Sequence, residues 1–184
     1  MEKKQTLFEN FETAKNKMLP WSTNLIFYND AFSKTKFMSK IMESFEDPIT
    51  YLDFDLLFSG YIESNHITKP SNMEITKPDP ENLKDLLPNI LTNVSSQKTI
   101  LILDSLNGLY NFIDDDNPAR FVTSLIMLLT TNAKFSESIL FVTCLGQKKD
   151  DDWILPTGRH ILEFENVNRF EINENDAKIK IKAI

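Results

Sequence analysis

Glycine is scarce in this chain, with four in 184 residues. Loops that wrap backbone N–H groups around phosphate depend on glycine to reach conformations other residues avoid, so few segments here could build one. Cysteine is scarcer still. Cys144 stands alone, which excludes an internal disulfide and cysteine-rich zinc sites, and its apolar surroundings make it a small core residue. The two histidines, His66 and His160, have no second histidine at metal-ligand spacing. Basic charge is in deficit: 20 Lys and Arg face 27 Asp and Glu, for a net charge of −7. That balance argues against broad contact with nucleic-acid phosphates. No apolar stretch approaches the length of a membrane span and no signal peptide is read at the start, so a cytoplasmic protein without membrane contact is expected.

What the chain does contain is an ordinary globular balance, 41% hydrophobic and 26% charged. The length suits one domain, residues 1–184, with an N-terminal helix over 1–19 and a core over 20–184. Leu7, Phe8, Phe11, Ala14 and Met18 recur at helical spacing, and Pro20 ends that run. Leu25 to Tyr28, Ile49 to Asp53, Thr99 to Asp104 and Ile139 to Leu145 read as buried parallel strands. Helices are expected from Lys36, from Asp79-Pro80 with a kink at Pro88, and from Asn117-Pro118 to Leu129. Glu63 to Asp79 and Gly146 to Thr157 read as exposed connections. Ile161 to Phe164, Phe170 to Ile172 and Ile179 to Ile181 alternate as antiparallel strands do. Lys178, Lys180 and Lys182 alternate along one face of the last strand, either as a local basic patch or, the favoured reading, as a solvated, edge-protecting face. The fold class is α/β, with a central parallel sheet between helical layers and a C-terminal antiparallel β-meander.

The segment from Tyr28 to Thr35 has the spacing of a phosphate-binding loop, Gly-x4-Gly-Lys-[Ser/Thr]. Lys34 and Thr35 are kept, but Tyr28 and Ser33 stand at the glycine positions. Thr99 to Asp104 supplies a second piece, a buried strand ending in an acid on the rim where open α/β sheets bind ligands. Asp53-Phe54-Asp55 ends the second strand in the same way. Asp114-Asp115-Asp116 and Asp150-Asp151-Asp152 lack the glycine and terminal glutamate of a calcium loop and read as solvated loops. Trp153, after an acidic run, is either an interface anchor or a residue tucked under the sheet edge.

These motifs and the order of elements resemble the RecA/KaiC-like branch of the P-loop ATPases, from roughly Leu19 onward. The resemblance implies a three-layer RecA-like fold. It also implies that Ser33, Lys34 and Thr35 face nucleotide phosphates, that Thr35 and Asp104 hold magnesium, that Asp55 orients the attacking water and that Gln147 senses the terminal phosphate. Without its glycines the loop resembles those of RecA-like proteins that have lost their Walker motifs, such as Elongator subunits and recombinase paralogues. Such proteins act by assembly, with themselves or with a homologous RecA-like subunit, and need no cofactor. Two other readings stay open: a divergent ATPase using ATP and magnesium, and a repair accessory that touches single-stranded DNA. Lys34, taken as a charge near a surface, is worth about 1 kcal/mol, far short of the roughly 8 kcal/mol of micromolar binding.

Overall fold

The structure is a computed structural model that describes residues 7–113, 117–150, 152–155, 165–175 and 178–184. Four apolar runs lie side by side as parallel strands: β2 (Thr23–Tyr28), β6 (Ile139–Leu145), β5 (Ile100–Asp104) and β3 (Ile49–Asp53). As expected for runs that are apolar throughout, they are buried on both faces apart from the partly exposed Thr50 and the exposed Leu145. β5 lies in the interior of the sheet, between β6 and β3.

Helices cover both faces. Along each strand side chains alternate between two cores. Leu25, Phe27, Leu101, Leu103, Leu140 and Val142 pack under α4 (Leu83–Ser96), α5 (Leu106–Tyr110) and α6 (Pro118–Phe135). Ile26, Tyr51, Ile100, Ile102 and Phe141 face α1 (Phe11–Lys15), α2 (Ala31–Glu43) and α3 (Leu57–Glu63). Gly108 in α5 has a steric reason to be glycine: a Cβ there would stand 2.8 Å from that of Phe54, at the end of β3.

Four expectations are corrected. Leu7 to Glu9 is a strand, β1, parallel to the C-terminal β10 (Lys178–Ala183). Asn10 takes a left-handed conformation that interrupts the helical spacing before α1 begins at Phe11. The segment from Glu63 to Asp79 carries β4 (Met73–Thr76), which pairs with β3 as the sheet's edge. Leu57 to Glu63, where no regular element is expected from sequence, forms α3. Within the charged 146–157 connection, β7 (Gln147–Lys149) and β8 (Asp152–Ile154) make a two-stranded hairpin.

Helix bounds shift as well. The α4 helix starts at Leu83, because the Asp79 carboxylate takes the N–H groups of Glu81 and Asn82 in a preceding turn. Asn117 caps α6 through the Arg120 N–H, and the helix runs past Leu129 to Phe135. At the C-terminus β9 (Val167–Asn175) runs parallel to β2 and antiparallel to β10. The expected strand at 161–164, His160 and the 114–116 acidic run lie outside the described residues. Lys178, Lys180 and Lys182 line the exposed face of β10. Trp153 is tucked in, its ring stacked on Phe27 at 5.5 Å and its Nε1 donating to Glu171 at 3.1 Å. Burial alone would push the Glu171 carboxyl up, but hydrogen bonds from Lys148 and Trp153, with the charges of Lys148 and Lys182, hold it below its ordinary value.

Candidate functional site

The carboxyl ends of β2, β3 and β5 share one rim of the sheet, since all three strands are parallel and in register with β6 or with each other. Asp53 at the end of β3 lies directly opposite Asp104 at the end of β5. Rims of this kind are where open α/β sheets place their ligand groups.

Between β2 and α2 stand two residues, Asn29 and Asp30. The helix therefore begins at Ala31, five residues before the expected start at Lys36, and takes in most of the phosphate-loop spacing. Asp30 is a strong N-cap residue, and its carboxylate accepts the Ser33 N–H at 2.6 Å and the Ser33 hydroxyl at 2.7 Å. The Glu174 carboxylate on β9 also stands within hydrogen-bond reach of that hydroxyl and shares its single proton with Asp30. An internal carboxylate thus takes the helix N–H that an anion at a helix start would use.

Lys34 follows on the first turn and is fully buried. Its Nζ is 2.5 Å from Asp104 Oδ2 and 5.5 Å from the centre of the Tyr28 ring. Tyr51 from β3 donates its hydroxyl to the same Asp104 oxygen, and Thr143 from β6 donates to Oδ1. Burial, then the Asp104 charge, push the Tyr51 hydroxyl well above its ordinary pKa. The Tyr28 hydroxyl is pushed up by the same two causes in the same order. Thr35 turns its hydroxyl back to the Ala31 carbonyl, at 2.7 Å.

Asp53 is also fully buried. Its Oδ2 accepts the Ser59 N–H at 2.7 Å and the Ser59 hydroxyl at 2.6 Å, both from α3. Burial raises its pKa, hydrogen bonds from Ser59 oppose that, and the Asp104 and Asp55 charges add to the rise. Asp55 is half-buried and accepts the Leu57 N–H at 3.1 Å. One carboxylate oxygen from each of Asp53, Asp55 and Asp104 lies within 4.8 Å of the others.

Lys34, Asp55 and Asp104, three of the residues singled out from sequence, therefore meet at this rim, and Ser33 and Thr35 sit on the first turn of α2. Gln147 stands elsewhere, exposed on the β7–β8 hairpin. It is one residue past Gly146, whose N–H donates to the Tyr28 carbonyl at 2.9 Å. Sequence reading missed Tyr51 and Thr143. Both are hydroxyl residues inside otherwise apolar buried strands, and buried polar groups need partners. That signal could have tied them to the strand-end acids. His66 is exposed and bonded to Ser64.

No family model matches this chain, and no curated protein does. Solved structures do. The chain is similar to a solved ATPase domain, with a TM-score of 0.56 at 10% identity over 95% of this chain and 79% of that one. It is also similar to a DnaB-like replicative helicase described with its primase interactions, with a TM-score of 0.54 at 12% identity over 86% of this chain and 48% of that one. The fold is RecA-like. The chain spans about half the length of that helicase chain, and at such identities the likeness reaches the fold alone. Among the described residues no helix is long and apolar enough to cross a membrane.

Proposed function

We propose that this is a RecA-like domain with an eroded phosphate loop, non-catalytic, that acts through its surfaces in an assembly with copies of itself or with a homologous RecA-like subunit. What supports the reading is the state of the groups that would receive phosphate. Lys34 is buried and already paired with Asp104, the helix N–H of Ser33 is taken by Asp30, and the Thr35 hydroxyl is turned into its own helix. Arranged so, these residues do not fit a magnesium nucleotide. A polyphosphate approaching without a cation would also meet the carboxylates of Asp30 and Glu174 beside the first turn of α2, with Lys34 already committed. Phosphoryl transfer rests on positioning and electrostatics, and both run against it here.

Surfaces, by contrast, are on offer. Phe121, Leu128 and Phe135 recur every seven residues along the outer face of α6, with Met127 beside them, and all four are exposed. Four large apolar side chains exposed along one helix are what a protein-contact site offers. Light scattering at micromolar concentration is expected to give a mass above the 21.3 kDa of one chain, and Leu128→Glu is expected to restore the single-chain mass. A wild type that stays at that mass across the concentration range contradicts self-assembly.

A divergent ATPase is the second reading. Its support is that Lys34, Asp55 and Asp104 do converge on the rim and that one of the solved structures this chain is similar to is an ATPase domain. The third reading, contact with single-stranded DNA, has the net charge of −7 against it.

A further inference from the structure

We propose that Asp53, Asp55 and Asp104 form a divalent-cation site of the magnesium class that fills without nucleotide. The inference stands apart from the loss of phosphate binding, since its ligand set leaves out Thr35 and needs no phosphate oxygen.

Two independent observations meet here. The first is charge. Three carboxylates each bring one oxygen within 4.8 Å of the others, and the lysine among them, Lys34, offsets a single charge through Asp104. Asp53 and Asp104 are direct cross-strand partners at the buried end of a parallel ladder, where like charges destabilise each other. The second is an orphaned atom. Asp53 Oδ2 has both Ser59 donors, yet Oδ1 is buried with no hydrogen-bond partner among the described residues. A bare carboxylate oxygen in the interior is strongly unfavourable unless something positive meets it. The Asp53 side chain is held by α3 and cannot turn away without breaking the Ser59 bonds.

The remaining coordination capacity fits one ion. Asp53 Oδ1 is free, Asp55 has one oxygen beyond the one that accepts Leu57, and Asp104 Oδ1 accepts from Thr143 alone among the described residues. A purely oxygen donor set selects hard cations. In a magnesium site with bonds of about 2.1 Å, ligand oxygens stand roughly 3 Å apart when adjacent and roughly 4.2 Å apart when opposed, and the three carboxylate oxygens here lie within 4.8 Å of one another, so small shifts bring them onto one ion. Calcium takes six to eight oxygens and uses bidentate carboxylates, whereas Asp53 Oδ2 and Asp104 Oδ2 are already taken by Ser59 and by Lys34 and Tyr51, which leaves one oxygen from each of these two acids. A magnesium-class ion can keep several waters on the half-exposed Asp55 side.

The test uses Mn2+ as the probe, on the intact chain with no nucleotide present. Loss of the free Mn2+ resonance on titration is expected to report one ion per chain, displaced by Mg2+. Asp53→Asn and Asp55→Asn are each expected to weaken binding about tenfold or more, while Asp85→Asn, on the exposed face of α4, binds as wild type. Should Asp53→Asn fail to fold, the partly exposed Asp55→Asn still decides the point. So does Mn2+ broadening of the Ser59 amide in the wild type, which requires no variant. An absence of bound Mn2+ at about millimolar concentration, or binding that neither Asn variant alters, overturns the site. Because no ATP is present, that failure is distinct from tight ATP binding, which would overturn the proposed function instead.

Discussion

Replacing Lys34 by Met is expected to lower the melting temperature by on the order of 10 °C, with the protein still folded at room temperature. The reason lies in what the lysine leaves behind. Nζ is buried at 2.5 Å from Asp104, so its removal strands a buried carboxylate next to Asp53 and Asp55. Breaking a buried pair from one side costs about 3–5 kcal/mol, and each kcal/mol moves the midpoint of a domain this size by roughly 2–4 °C. Removing the charge on both sides should recover most of the loss. In Lys34→Met/Asp104→Asn the amide can still meet the Tyr51 and Thr143 hydroxyls, and no uncompensated charge is buried. Thermal denaturation of the two variants checks this. A Lys34→Met midpoint equal to wild type would mean that the pair is not formed, and it would restore the sequence-based estimate of a loosely held surface charge worth about 1 kcal/mol.

Phe58→Ala is expected to be as severe, at about 3–5 kcal/mol for a buried aromatic truncated in a packed core. Phe58 is fully buried on α3 and stacks on Tyr51 with ring centres 4.5 Å apart. Its loss opens a cavity and also frees the ring whose hydroxyl holds Asp104, so the variant should couple to the Lys34 pair. Chemical denaturation of Phe58→Ala, Lys34→Met and the double variant measures that coupling. Strict additivity would show that Tyr51 keeps its place without Phe58.

Much of the fold was legible because the chain's strongest signals are local. The runs at Leu25, Ile49, Thr99 and Ile139 are apolar without alternation, the mark of strands covered on both faces, and all four lie as parallel neighbours. The elements that escaped are short or carry mixed signals. The α3 helix reads Leu-Phe-Ser-Gly-Tyr-Ile-Glu, with Ser59 and Gly60 at its centre and Leu56 left-handed before it, so propensity and capping gave no warning. In β4, four residues of edge strand emerge from a polar, proline-bearing stretch. β1 shares its apolar residues with a helical pattern that Asn10 interrupts through its backbone alone.

The site was legible in its neighbourhood and not in its detail. Motif spacing pointed to Lys34, the end of a buried strand to Asp104 and the RecA-like resemblance to Asp55, and the structure brings these three to one rim. Spacing cannot say how Lys34 is used. Whether it faces a ligand or an internal acid depends on where α2 starts, and that start is set by Asp30 capping Ser33. Asp three residues before a capped N–H is itself a readable signal, overridden by the eight-residue spacing laid across it. Tyr51 and Thr143 reach Asp104 from two other strands, and contacts of that kind are fixed by sheet order rather than by neighbours in sequence.

Isothermal titration of the intact chain with ATP, run with and without magnesium, bears most directly on the claim that the phosphate groups of this fold are no longer served. Lys34 is committed to Asp104 and Asp30 already caps the helix, so the account predicts a dissociation constant weaker than about 100 μM and no hydrolysis above background. Micromolar ATP binding that Lys34→Met abolishes while the chain remains folded would contradict it, because the lysine would then have left its buried acid to hold phosphate.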